Sequence, residues 1–165
     1  MIIDSQGIPY QLYGSQFWGH HLGIRGSENY WRNRNSIGIE LDAWGGLMKK
    51  DSKWHAAKWD KVKRQNLPNL NVTIPSEKIQ FYPDSFRGYY AFERYTEAQI
   101  EILRHLLLYW GAKYEIPLDY NKDMWGISQK ALQGEPGIWS HTSFRLDKSD
   151  AHPQPELIMM LKGLR

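Results

Sequence analysis

The second half of the chain contains a helix signal with a defined start. Thr96 and Gln99 form a capping box, in which the Thr hydroxyl accepts from a first-turn amide and the Gln side chain reaches back. Apolar residues then recur at spacings of three and four, namely Ile100, Leu103, Leu107 and Trp110. We therefore expect a helix from the box to about Tyr114, packed on a sheet, with His105 on its outer face.

The clearest strand signal lies at residues 36–41. Three apolar residues alternate toward one face: Ile37, Ile39 and Leu41. The opposite face carries Glu40 beside Gly38, which leaves space for a ligand next to a carboxylate. In a cleft Glu40 suits a general base, whereas on an edge strand it is an ordinary surface carboxylate.

Further strands are predicted on both sides of this one. Residues 1–3 and 8–13 suit a hairpin around a turn, and residues 67–82 contain two β-prone runs separated by a proline. Residues 51–65 combine five basic residues with two tryptophans. We predict a solvated connection anchored by the tryptophans there, in preference to a nucleic-acid-binding surface, because no nucleic-acid-binding motif accompanies it.

Composition limits the classes of function. With 165 residues the chain suits one domain, and no apolar run approaches the roughly 20 residues that a membrane span needs. The start lacks the pattern of a secretory signal. There is no cysteine, so a metal site must use His and carboxylate ligands. A net charge of +3 favours a polyanionic partner only slightly.

The loop from His141 to Pro155 gathers the residues best suited to chemistry. His141 and Asp150 are zinc-type ligands, and Lys148 between them is a cation that would stabilise an oxyanion. We expect a short strand at 137–140 to deliver this loop, and a short helix at 156–161 to follow it. The alternative is a solvated polar loop with no metal.

The adjacent pair His20 and His21, flanked by glycines, is a weaker signal. Neighbouring residues of a strand face opposite sides, so only one of the two enters a given pocket. A dipeptide is not a typical zinc motif, and we expect one histidine to lie in the cleft without binding metal.

These motifs, in this order, match a known family over nearly the whole chain. The strand motif begins at Asn33 and ends in Ser-Ile-Gly-Ile-Glu, the capped helix follows, and His141 precedes the Asp of Lys-Ser-Asp by nine residues. The chain resembles the zinc-dependent N-acetylmuramoyl-L-alanine amidases of type 2, whose fold is shared with peptidoglycan-recognition proteins and phage endolysins. The resemblance implies an α/β fold, a central mixed β-sheet flanked by helices.

The resemblance also implies roles for individual residues. His141 and Asp150 would bind Zn²⁺, Lys148 would stabilise the oxyanion, and Glu40 would act on the zinc-bound water. Three residues would line the substrate groove: Trp18, His21 and Asn35. The implied reaction is hydrolysis of the amide between N-acetylmuramic acid and L-alanine. The implied partner is peptidoglycan, through its glycan and stem peptide, in a bacterial or bacteriophage setting; we expect no membrane partner and no nucleic acid.

One departure from the family pattern concerns the first zinc ligand. In the family it is a His on a strand upstream of the hairpin that here begins at Met1. We therefore expect the domain, residues 1–165, to be N-terminally incomplete, with residues 1–3 forming a central strand that lacks its neighbour. A missing segment or another chain would supply the ligand, although His20 or His152 would be a substitute in principle. The alternative function is a peptidoglycan-binding or virion-structural module without catalysis.

Overall fold

The structure, a computed structural model, describes residues 1–164, which form a mixed α/β protein with four α-helices and eight strands in three small sheets. The helices are α1 (Glu28–Arg34), α2 (Glu97–Tyr114), α3 (Gln129–Gln133) and α4 (Pro155–Lys162). The strands are β1 (Ile2–Ile3), β2 (Pro9–Tyr10), β3 (Glu40–Leu41), β4 (Leu47–Lys50), β5 (Lys53–Asp60), β6 (Gln65–Ile74), β7 (Ile79–Phe86) and β8 (Tyr89–Glu93).

The first sheet is mixed and has the order β2-β1-β3. Strand β1 pairs antiparallel with β2 and parallel with β3, and Glu40 and Asp42 donate backbone hydrogen bonds to it. The strand at residues 2–3 is central in this sheet, as predicted, but the prediction that it lacks a neighbour is wrong. The hairpin supplies one neighbour, and the chain returning through α1 supplies the other.

The other two sheets lie between β3 and α2 in the sequence and hold most of the strand residues. Strands β4, β5 and β6 form an antiparallel sheet, and β7 pairs with β8. The prediction of a solvated connection at 51–65 is wrong, because residues 53–60 form a strand that pairs with β6 and, over residues 53–56, with β4, and His55 and Ala56 are buried. Two strands separated by Pro75 are confirmed at 67–82.

Helix α2 confirms the capping-box prediction. The Thr96 hydroxyl accepts from the amide of Gln99 at 3.1 Å, and the Gln99 side chain accepts from the amide of Thr96 at 3.0 Å. Ile100 and Leu103 are buried in the main core, which joins α2, α4 and β1, and His105 is exposed and pairs with Glu101.

Two strand predictions beside the site need correction. Within 36–41 only residues 40 and 41 form a strand, and Ile37 is 42% exposed while Ile39 and Leu41 pack on the core. Residues 137–140 are not a strand. The end of the loop is nevertheless as expected, since α4 covers the predicted helix at 156–161.

None of the helices within residues 1–164 combines the length and the apolar character needed to cross a membrane.

Candidate functional site

Hydroxyl groups, rather than a strand ladder, hold the start of the site loop. The segment enters a 3₁₀ turn at His141–Ser143, and the side chains of Ser140, Thr142 and Ser143 all donate to the carbonyl of Met124. The amide of Ser128 donates to the carbonyl of Ser143 at 3.0 Å. Because side chains satisfy the backbone here, the turn is fixed without a partner strand.

The structure brings together the three residues that the sequence placed in this loop. Nδ1 of His141 lies 2.9 Å from Oδ2 of Asp150, and Nζ of Lys148 lies 3.5 Å from the same oxygen. The other ring nitrogen of His141, Nε2, lies 3.0 Å from the carbonyl oxygen of Leu22. Both nitrogens of the His141 ring therefore face oxygen atoms.

These contacts keep Asp150 ionised. Burial opposes the charge of this carboxylate, but the hydrogen bond from His141 and the charges of His141 and Lys148 outweigh it, so the pKa of Asp150 is lowered. The neighbouring Asp147 also has a lowered pKa, because Arg145 binds its carboxylate with two hydrogen bonds of 3.0 and 2.6 Å. The loop therefore carries two ionised carboxylates, Asp147 and Asp150, each held by neighbouring side chains.

His21 lies beside this cluster and fills the space that the sequence assigned to a ligand. A Cβ built on Gly38 would lie 2.9 Å from the His21 ring, so the ring packs directly on that glycine. Its nitrogens lie 2.9 Å from the Gly19 carbonyl and 2.9 Å from the Ser36 hydroxyl. The prediction of free space beside Gly38 is wrong, because the His21 ring occupies that space.

Electrostatics connect Glu40 to the same region. Burial lowers the pKa of His21, the charge of His141 acts in the same direction, and Glu40 opposes them. Burial raises the pKa of Tyr95, and both Asp150 and Glu40 raise it further. Glu40 is exposed and acts on the same neighbours as the loop residues.

Asn33 is a site residue whose role the sequence did not indicate. Its buried side-chain oxygen accepts from the amides of His21 and Leu22 at 2.6 and 3.1 Å, and its nitrogen donates to Asn29. Asn33 thus positions the carbonyl of Leu22, which in turn orients His141. The motif containing Asn33 marked the position, but only its burial on α1 reveals this role.

The other two predicted groove residues lie on or near α1. Trp18 is 37% exposed and makes edge contacts with His20 and Tyr30, with ring centroids 5.0 and 4.8 Å apart. Asn35 ends α1, and its side chain donates to the carbonyl of Trp31 at 2.8 Å. Trp18 is available to a ligand, whereas the amide nitrogen of Asn35 is committed to the helix end.

His152 is a structural residue and is unsuited to replace a metal ligand. It is fully buried, its Nδ1 accepts from the Tyr82 hydroxyl at 2.7 Å, and its Nε2 donates to the Glu93 carbonyl at 3.0 Å. Burial lowers the pKa of His152 to about 4. The prediction that His152 is a possible substitute ligand is therefore wrong, since both nitrogens are committed.

The donor set fits zinc in part. A zinc-ligating His usually donates its second nitrogen to a carbonyl, as Nε2 of His141 does to Leu22. Two ligands at zinc distance lie about 3.3 Å apart in tetrahedral geometry, so His141 and Asp150 would separate slightly to admit the ion. Within residues 1–164, however, no group of three or more His, Asp or Glu side chains is arranged to hold a metal.

Comparison with known proteins adds no assignment: no family model, no curated protein and no solved structure matches the chain.

Proposed function

We propose that this chain is a zinc-dependent N-acetylmuramoyl-L-alanine amidase that cleaves the bond between muramic acid and L-alanine in peptidoglycan. The observation that carries the proposal is the meeting of His141 and Lys148 at one oxygen of Asp150. A carboxylate and an imidazole are zinc ligands, and an ammonium group beside them suits an oxyanion, so the cluster supports metal-assisted amide hydrolysis.

The order of elements supports an amidase-like fold. The hairpin β1–β2, strand β3, the long helix α2 and the His141 loop follow one another as in that family. In this proposal, β4 to β8 are an insertion between β3 and α2, and the mixed β-sheet β2-β1-β3 is the family's central sheet.

The residues of the chain would divide the chemistry as follows. Zinc, when bound, would polarise the scissile carbonyl and activate water. His141 and Asp150 would hold it, with a third ligand that the described part of the chain does not supply. Lys148 would face the developing oxyanion, and Glu40 would accept a proton from the attacking water. Trp18 and His21 would contact the substrate.

The incomplete donor set favours a second candidate, a peptidoglycan-binding or virion-structural module of the same fold that lacks catalysis. Two protein ligands are one fewer than a catalytic zinc site normally has. Such a module would retain Trp18 and the groove while releasing no stem peptide.

The test measures zinc binding by calorimetry and release of stem peptide from purified peptidoglycan by mass spectrometry. His141→Ala and Asp150→Ala should each abolish zinc binding. Lys148→Ala and Glu40→Gln should leave zinc binding in place and lower turnover about 100-fold or more, the usual cost of losing an oxyanion donor or a general base.

Matched controls lie outside the site. Lys122→Ala and Glu77→Gln change exposed residues and should leave both readouts unchanged. Zinc binding or peptidoglycan binding without release of peptide would favour the non-catalytic module. A chain that binds neither zinc nor peptidoglycan and releases no peptide would reject both candidates.

A further inference from the structure

The β5–β6 hairpin carries the positive charge of the molecule. Its 22 residues, Lys53 to Ile74, contain five basic side chains and one acidic side chain, a net charge of +4. The whole chain has a net charge of +3, so everything outside the hairpin sums to −1. Four of the five basic residues lie at the outer end: Lys58, Lys61, Lys63 and Arg64.

The turn at that end has a defined conformation and an unusual composition. The Asp60 carboxylate accepts from the amides of Val62 and Lys63 at 2.9 and 2.8 Å, which fixes the backbone of the turn. Arg64 adopts φ 54°, a conformation that Gly or Asn adopts more readily. Val62 is 92% exposed between Lys61 and Lys63. The turn thus holds an apolar side chain in water, flanked by cations.

A second apolar feature lies just behind the turn. Trp59 and Leu70 are each 55% exposed and line a cavity of about 270 Å³ together with Leu67 and Pro68. Lys58 lines the same cavity. An indole that is half exposed beside cations is typical of proteins at a membrane–water boundary, where its ring is apolar and its N–H remains hydrated.

We propose that the tip of the β5–β6 hairpin docks on an anionic phospholipid surface. Lys61, Lys63 and Arg64 would lie over the lipid phosphates, Val62 would enter the headgroup layer, and Trp59 would lie at its boundary. Charge alone would suit any polyanion, but an apolar residue at the apex of a cationic turn gains free energy only where there is apolar material to enter.

This proposal replaces the expectation of no membrane partner. That expectation followed from the lack of an apolar run long enough to span a bilayer, and surface docking needs no such run. It does not rest on the amidase proposal, since none of the site residues lies in the hairpin.

The experiment is cosedimentation of the full chain with vesicles of phosphatidylcholine alone or mixed equally with phosphatidylglycerol. We expect binding to the anionic vesicles only, weakening as salt rises from about 0.1 M to about 0.5 M. The triple variant Lys61→Gln, Lys63→Gln, Arg64→Gln should bind about 100-fold more weakly, at about fivefold for each cation lost. Val62→Ser, which keeps the charge, should bind about tenfold more weakly.

A matched control removes the same charge elsewhere. Lys113→Gln, Lys122→Gln and Lys130→Gln together change three exposed residues outside the hairpin and should alter binding less than about threefold, since none of them belongs to the docked tip. Circular dichroism should show every variant folded, because the substituted side chains are exposed.

Three outcomes would overturn the proposal. The first is that the wild-type protein does not bind anionic vesicles. Val62→Ser binding as tightly as wild type, with the triple variant weakened, would mean attraction to any polyanion without entry into lipid. Tighter binding to a single-stranded oligonucleotide than to vesicles, lost in the triple variant, would assign the tip to nucleic acid.

Discussion

The space beside Gly38 is filled by the His21 ring rather than by a ligand. The sequence showed that this position lacks a side chain but not what fills the gap, because the His21 ring arrives from a segment 17 residues earlier in the chain. The Asn33 side chain fixes the backbone of His21, so the ring has little freedom to retreat. A Cβ at position 38 would therefore collide with a held group.

Gly38→Ala should displace the His21 ring and destabilise the protein by about 1–3 kcal/mol, the usual cost of overpacking. The measurement is chemical unfolding, together with the NMR shifts of the His21 ring. Gly126→Ala is the matched control, since a Cβ there meets nothing within 4 Å and its φ of −140° suits any residue. Equal stability of the two variants would mean that the His21 contact costs nothing to break.

Among the elements, helix α2 does more than its amphipathic pattern indicated. Its first turn holds the mixed sheet, since the Gln99 side chain donates to the carbonyls of Ile3 and Asp42 at 3.2 and 3.1 Å, and the Thr96 hydroxyl donates to the carbonyl of Ser5 at 2.8 Å. The same residues that cap the helix thus position the ends of β1 and β3.

Gln99→Met keeps the side-chain size but leaves the Asp42 carbonyl and the Thr96 amide without a partner, while the Ile3 carbonyl keeps the bond from the Asp42 amide. We expect a loss of about 3 kcal/mol, because a buried polar group without a hydrogen bond costs on the order of 1–3 kcal/mol. Gln129→Met, at an exposed helical position, should change stability by less than about 0.5 kcal/mol. Thermal and urea unfolding measure both, and similar losses in the two variants would contradict this role of Gln99.

The sequence predicted the helices that are determined by residues close together in the chain. The cap and stripe predicted the bounds of α2, and the helix predicted at 156–161 lies within α4. The prediction failed for β5, although both of its partner strands are its neighbours in the sequence. Residues 51–65 were predicted to be a solvated connection, but residues 53–60 pair with the adjacent strands β4 and β6.

In the candidate site, the sequence predicted contacts between neighbouring residues and did not predict contacts between distant ones. His141, Lys148 and Asp150 lie within ten residues, and their meeting was predictable from spacing. The roles of Asn33 and Arg87 were not predictable. The Asn33 oxygen accepts from amides 11 and 12 residues earlier, and Arg87, in the β7–β8 turn, donates to the carbonyls of Thr142 and Leu146 in the site loop. Side chains that bind distant backbone have no sequence period, so only the fold reveals them.

At the scale of the whole molecule, an aromatic stack joins the two hydrophobic clusters. The His152 ring lies between Phe92 and Tyr95, with ring centroids 4.6 Å from each. Tyr95 belongs to the main core, and Ala91, next to Phe92, belongs to the second cluster. The neutral imidazole therefore connects the β7–β8 hairpin, the start of α2 and the site loop.

This buried ring predicts how stability depends on pH. The pKa of His152 is about 4 in the folded chain and about 6.5 when unfolded, so protons bind the unfolded state preferentially between these values. The resulting stability is complete above about pH 6.5 and is lost as the pH falls toward 4. We expect the free energy of unfolding to be about 2 kcal/mol lower at pH 5 than at pH 7 from this residue.

Urea unfolding at pH 7 and pH 5, with a chelator present to exclude metal effects, measures the difference. His152→Gln should be less stable at pH 7 but should lose about 2 kcal/mol less than wild type on going to pH 5. The pKa of His21 is also lowered by burial, so His21→Gln is the companion variant that separates its contribution. The lowered pKa values of Asp150 and Glu156 act at lower pH, because carboxylates protonate in the unfolded chain near pH 4. An unchanged pH dependence in His152→Gln would mean that the ring is protonated without cost, and hence that the stack does not hold it neutral.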